Sequence, residues 1–308
     1  MGVVVGDALG SPVQFQPREE VALHPVTGMR GGGFGLPAGS WTDDSSLTLA
    51  LLNSIAVHGG IDLQGIMENF VDWLDCGAFT PYGEAYDIGR GTMDAIGRYK
   101  RNRNPIACGG TAEWNNGNGS LMRILPACLY GWAKRLGDEE AVGMIHQVGS
   151  LTHGHIRANI ACGLYFFLAK AVLDGEGPLG ERLRTGLDRG FAYYDKALAD
   201  HENLAYYDRL RDAAAFAALP PEKIGSSGYV VDALEAAVWS LLRGDTYEST
   251  LLTAVNLGDD SDTVGAIAGG LAGLFYGEGA IPEEWRQAIA RREWIEGLCD
   301  EAEKAMHG

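Results

Sequence analysis

Residues 263–276 read TVGAIAGGLAGLFY, a stretch in which nearly every side chain is small or apolar. Apolar character on every face predicts a helix enclosed on all sides, since any exposed face would leave that surface in water. Its glycines oppose helix formation, each costing about 1 kcal/mol relative to alanine. Close packing against neighbouring helices is the expected compensation. A chain built around such a helix needs several others to surround it.

Those others are legible as helical periodicity. Residues 62–75 set Leu63, Ile66, Met67, Phe70, Val71 and Leu74 on one face. Similar patterns cover roughly 118–136, 138–150, 156–174, 181–198, 229–243 and 245–257. The opening MGVVVGDALG suggests a helix from residue 1, as though a few residues precede it. It lacks the basic start and cleavage site of a signal peptide. Period-two alternation bounded by hairpin turns is not evident. The expectation is an all-α fold in one domain spanning residues 1–308, with no linker and no fixed-period repeat. Glycine-rich 28–39 and the segment 102–120 read as loops.

Hydrophobic residues make up 46% of the chain, enough for a large core. No run of about 18 apolar residues is present, so no membrane span is expected. The formal net charge of −17 repels phosphate backbones and argues against nucleic acid. Cys76, Cys108, Cys128, Cys162 and Cys299 are scattered without a CxxC pair. That pattern suggests reduced, buried thiols in a cytoplasmic protein.

The chemistry-bearing residues cluster at two helix starts. Residues 40–46 read SWTDDSS and lead into Leu47, Leu49, Ala50, Leu51, Leu52 and Ile55. Residues 258–262 read GDDSD and lead into the apolar helix. Helix N-termini attract acids, and one Asp, Ser or Thr suffices as a cap. Two or three carboxylates exceed that need and repel one another. No Lys or Arg occurs between Arg30 and Arg90, nor between Arg243 and Arg286. Three readings follow: a hard divalent cation held by carboxylate and hydroxyl oxygens, caps with solvated acids, or ion pairs from distant arginines. An EF-hand counted from Asp260 fails, because Val264 and Leu271 fall where ligands belong.

Other polar segments are less specific. NNGNGSLMR at 115–123 offers backbone N–H groups for a phosphate, or a plain loop before a helix. GSSGY at 225–229 carries the same two readings. THGH at 152–155 has only His146 nearby in sequence, too few ligands for zinc, so a ligand-contacting loop histidine is the better expectation. Asp87 precedes a glycine and a helix and reads as a cap on that basis. No GxSxG elbow is present.

In this order the segments resemble the ADP-ribosylglycohydrolase family along nearly the whole chain. VGDALGSPVQF, FGLPAGSWTDDSSLTLAL, DIG at 87–89, GNGSLMR at 117–123, LTHGH at 151–155, GYVVDALEAAVW at 228–239 and NLGDDSDTVGAIAGGLAG at 256–273 carry the likeness. The resemblance implies a compact orthogonal multi-helix domain around two Mg²⁺ ions, with Mn²⁺ as an alternative. It implies hydrolysis of the bond joining C1″ of ADP-ribose to an acceptor on a protein or small molecule, arginine favoured, with ADP-ribose as product. Thr42, Asp43 and Asp44 match the first metal motif, and Asp260, Asp262 and Thr263 the second. Asp87, with Asp44 and Asp260, falls on the catalytic centre. Gly117, Asn118, Gly119 and Ser120 fall on the phosphate loop, and His153 beside the distal ribose. Ser226, Ser227, Gly228 and Tyr229 resemble a segment lining the same cleft. Two positions depart: Gln14 stands where many relatives have Glu, and Asp259 replaces the usual Gly. Glutamine cannot act as a general base, so the alternative is a non-catalytic ADP-ribose-binding or crystallin-like protein on the same scaffold. A monomer is expected.

Overall fold

The computed structural model describes residues 1–199 and 201–307. Its helices are α1 (Gly2–Gly10), α2 (Arg18–Leu23), α3 (Asp43–His58), α4 (Leu63–Cys76), α5 (Arg90–Asn102), α6 (Leu125–Ala133), α7 (Asp138–Ser150), α8 (Ile156–Asp174), α9 (Leu179–Ala197), α10 (Ala213–Ala217), α11 (Val230–Arg243), α12 (Tyr247–Val255), α13 (Ser261–Tyr276), α14 (Glu283–Ala288) and α15 (Arg292–His307). Among the described residues, strand pairing is confined to two isolated bridges, Gly110 with His153 and Gly117 with Tyr229. The expected all-α class holds.

The apolar helix α13 lies at the centre, packed against α1, α8, α11 and α12. Its glycines meet those of α1 backbone to backbone. A Cβ added at Gly6 would stand 2.0 Å from the Gly265 carbonyl oxygen, and one at Gly265 would stand 2.4 Å from that of Gly6. Gly2 and Gly269 oppose each other in the same way, at 2.3 and 2.4 Å. Both helices therefore carry glycine every fourth residue, which lines up one bare face on each. This approach also fixes the start of α13, whose Ser261 Oγ donates to the Gly10 carbonyl at 3.0 Å.

Helix α8 is long and apolar enough to cross a membrane by length and composition, but 83% of its apolar window is buried inside the protein. It is a core helix. Cys108, Cys128 and Cys162 are buried as expected, whereas Cys76 is exposed, and Cys299 is partly exposed.

Several helical assignments differ from the periodicity. Residues 118–124 form tight turns, and α6 starts only at Leu125 with Pro126 in its first turn. Proline has no N–H and is accommodated there, where no intrahelical bond is lost. The short helices α2, α10 and α14 and the longer α5 and α15 fall outside the periodic segments. The buried face of α15 is only Ile295, Leu298, Ala302 and Met306 among many charges.

Candidate active site

The two acidic helix starts meet. Thr263 Oγ1, at the start of α13, donates to Asp44 Oδ2 at 3.2 Å, and Thr42 Oγ1 donates to the same oxygen at 3.2 Å. Asp43, Asp44, Asp87, Asp260 and Thr263 line one cavity of about 250 Å³. Its other walls include Gln14, the N-cap and start of α5 (Gly89–Thr92), the loop Gly117–Gly119, His153 and Gly228. A larger apolar cavity of about 330 Å³ shares none of these residues.

Capping does not explain the acids. Thr42 caps α3 by accepting from the Asp44 N–H at 3.4 Å. Beneath it, the buried Asp7 of α1 accepts from the N–H of Thr42 and of Ser45 at 3.0 Å, and from Ser45 Oγ at 2.5 Å. On α13, Asp262 Oδ1 accepts from the Thr263 N–H at 2.9 Å. Asp43 and Asp44 are left over.

Distant arginines do not neutralise them either. Among the described residues, every ion pair lies elsewhere. Arg18 comes near but donates to backbone, to Leu257 O at 2.8 Å, Ile224 O at 2.5 Å and Pro221 O. Burial and then the neighbouring carboxylates push Asp43, Asp44 and Asp262 well above the usual range. Burial also raises Asp87 and Asp260, and it pushes Asp7 up to about 7 against its four hydrogen bonds. Asp44 Oδ1, Asp262 Oδ2 and Gln14 Oε1 are buried without any hydrogen-bond partner.

Among the described residues, no three His, Cys, Asp or Glu side chains are grouped at metal-holding spacing. The donor set nevertheless fits a hard divalent cation: oxygen atoms only, all buried but for half-buried Asp260, with Asp44 Oδ1 and Asp262 Oδ2 unpartnered and, among the described residues, no ion pair.

Asp87 is not a cap, since the N-cap of α5 is Gly89. It adopts a left-handed φ of 54° and accepts from Gln14 Nε2 at 2.6 Å. Asp259 also has φ 54° and is exposed. Its carbonyl accepts from the Phe15 N–H at 2.6 Å, and its N–H donates to Gln16 O at 2.8 Å. Glycine would take that backbone conformation freely, and the Asp259 carboxylate lies outside the cavity wall.

Of the phosphate-loop residues, Gly117, Asn118 and Gly119 face the cavity. Asn118 Nδ2 donates to Asp260 Oδ2 at 2.6 Å, and its N–H donates to Gly228 O at 3.1 Å. Ser120 is fully buried instead and accepts from Cys162 Sγ at 3.6 Å, because it precedes no helix and its turn points it inward. Ser226 is buried against Leu257 O and Asp259, and Ser227 donates to Asp232 Oδ2 at 2.6 Å. Tyr229 stands outside the cavity wall, its Oη accepting from Arg157 Nη1 at 3.0 Å. His153 reaches the cavity, while His155 pairs with Glu113 at 3.3 Å and His146 with Tyr194 at 2.8 Å. The histidines therefore form no zinc site. Sequence reasoning assigned no role to Asp7. Its signal was an acid inside the apolar run VVVGDALG with no base nearby.

Together these features define an all-α protein with a carboxylate-lined ligand cleft walled by glycine-rich backbone. A profile of ADP-ribosylglycohydrolase sequences matches residues 1–308, and the chain belongs to the ADP-ribosylglycohydrolase family. It is 29% identical over 302 residues to the ADP-ribosylarginine hydrolase Tri1 of Serratia proteamaculans (strain 568), covering 98% of this chain and 76% of that protein. It is 32% identical over 291 residues to the ADP-ribosyl-[dinitrogen reductase] glycohydrolase of Rhodospirillum rubrum, covering 92% and 86%. A solved structure described as an ADP-ribosylglycohydrolase-related protein complex superposes with a TM-score of 0.78 at 32% identity, covering 100% of this chain and 95% of the other.

Proposed function

We propose that the protein hydrolyses the glycosidic bond between ADP-ribose and an acceptor, with ADP-ribosylated arginine on a protein favoured and two Mg²⁺ ions required. The observation that carries this reading is the cluster of carboxylates, most of them buried, that have no ion pair among the described residues. Thr42, Asp43, Asp44, Asp260, Asp262 and Thr263 would hold the ions. When bound, these supply the positive charge that binds ribose hydroxyls and activates water. The names of the relatives support the substrate class, and an acidic cleft suits a guanidinium acceptor.

The remaining roles belong to the chain itself. The backbone N–H groups of Gly117 and Gly119, on either side of the Asn118 N–H that is tied to Gly228 O, receive the pyrophosphate. Asn118 holds the Asp260 carboxylate in place through its 2.6 Å hydrogen bond. Asp87 takes the proton of the attacking water, and burial raises its affinity for a proton. Gln14 fixes the orientation of Asp87 and performs no proton transfer of its own.

One observation favours the second reading, a non-catalytic binder: the Gln14 amide occupies one oxygen of Asp87. Release of ADP-ribose from an ADP-ribosylated arginine substrate, with Mg²⁺ and with EDTA, separates the two. Release with Mg²⁺ alone is expected. Binding of ADP-ribose without release from any tested linkage would sink the enzyme.

A further inference from the structure

His153 is 5% exposed and presents one edge of its ring to the cavity. Three glycines make room for it. A Cβ on Gly91 would lie 2.8 Å from Nε2, one on Gly117 3.3 Å from Nε2, and one on Gly119 2.8 Å from Cε1. Among the described residues, no hydrogen bond engages Nε2. The other nitrogen, Nδ1, lies 2.8 Å from Thr152 Oγ1. Thr152 Oγ1 in turn receives Arg123 Nη2 at 2.8 Å. Arg123 is fully buried, its guanidinium stacked 4.7 Å from the centre of the Phe70 ring.

The proton inventory along this chain has one solution. Arginine only donates, so Thr152 Oγ1 accepts from it. The hydroxyl then has one proton to place, and His153 Nδ1 is the sole acceptor recorded for it. The reverse tautomer would bury that proton without a partner, at the cost of an unmade hydrogen bond. Burial, followed by the Arg123 charge, lowers the His153 pKa to about 3, so the ring is neutral.

We infer that Arg123 and Thr152 are positioning residues that lock His153 in its Nε2–H tautomer, so that it offers the cleft a fixed, uncharged hydrogen-bond donor for a ligand oxygen. This donor has no lone pair at Nε2, so His153 is neither a general base nor a metal ligand at that atom. Only the identity of the ligand oxygen, on the phosphate or ribose of ADP-ribose, rests on the function proposed above.

The test reads the tautomer directly. In ¹⁵N-labelled protein, the long-range proton–nitrogen spectrum of the His153 ring should show Nε2 protonated and Nδ1 bare. Thr152→Ser should keep that pattern and bind ADP-ribose within about twofold of wild type. Thr152→Val preserves shape and removes the hydroxyl. It should give a mixed or reversed tautomer and weaken ADP-ribose binding about tenfold, the loss of roughly one hydrogen bond. A wild-type ring protonated on Nδ1 overturns the inference even if the valine variant does not fold. A valine variant with unchanged tautomer, or with altered tautomer and unchanged affinity, overturns it too. Failure of the wild type to bind ADP-ribose would instead overturn the proposed function, leaving the tautomer measurement to stand on its own.

Discussion

Two regions of the molecule bury charge and treat it in opposite ways. Arg157 is 4% exposed, and the chain surrounds it with partners. Glu113 Oε1 lies at 2.7 Å, Tyr229 Oη and Asn203 Oδ1 at 3.0 Å, and the Tyr206 ring 3.5 Å from the guanidinium carbon. The carboxylates of the cleft have neighbours of their own sign and no ion pair. Neutralising a buried charge is therefore within this fold's repertoire. At the cleft, among the described residues, several carboxylates share one cavity with no such partner, which accords with the cation proposed above.

The comparison breaks most visibly in activity. Asp262→Asn should cut ADP-ribose release on the order of a thousandfold, comparable to losing a principal electrostatic group. Its melting temperature in EDTA should not fall, because one of several repelling acids becomes neutral. Arg157→Met should do the reverse: destabilise by about 2 kcal/mol through lost hydrogen bonds and ring contact, with a smaller loss of turnover. Denaturant titration of both variants checks this. Equal destabilisation would show that both charges are structural.

Saturation with Mg²⁺ sharpens the same contrast. At about 100 times its Kd, a bound ion stabilises the native state by about 2.7 kcal/mol. The wild type and Arg157→Met should both gain in melting temperature, and Asp262→Asn should gain little. Differential scanning fluorimetry with and without EDTA reads the difference. An equal gain in all three proteins would remove the acidic cleft as the ion's site.

The scaffold under the cleft offers a third perturbation. Gly6→Ala places a methyl 2.0 Å from the Gly265 carbonyl oxygen, where only backbone can yield. Overpacking of this kind costs about 1–3 kcal/mol. Because α13 carries Asp262 and Thr263, turnover should fall with stability. A stable, fully active Gly6→Ala protein would separate the helix pair from the site.

The sequence revealed more of this arrangement than its helix boundaries suggest. TVGAIAGGLAGLFY announced the central helix because no face of it could meet water. SWTDDSS and GDDSD announced the cleft because each lacked a local base. What stayed hidden depends on long-range contact. Asp7 stands out in sequence only as an acid in an apolar run, and its role is not legible there because its partners, Thr42 and Ser45, lie at the start of another helix. Apolar spacing alone does not show the inward turn of Ser120, because a helix starting at 118 and one starting at Leu125 share it, and only Pro126, in the first turn of α6, separates them. The short apolar face of α15 gave too weak a period to detect.

Glu235 stands between the two extremes and gives the smallest expected effect. It is 2% exposed, and Arg209 Nη1 donates to its Oε2 at 2.6 Å while Oε1 has no partner. Burial pushes it up to about 7, against the pull of Arg209. The folded pKa thus exceeds the unfolded one, so the native state keeps a proton that the unfolded chain loses. The stabilising contribution is complete below about pH 4.5 and is lost as pH rises through about 7. Wild-type melting temperature should accordingly decline across that window more steeply than that of Glu235→Gln, by a few degrees at most. The cleft acids are common to both proteins and cancel in the difference. Parallel curves would mean that Arg209, although half exposed, already neutralises Glu235 as fully as Glu113 and its neighbours neutralise Arg157.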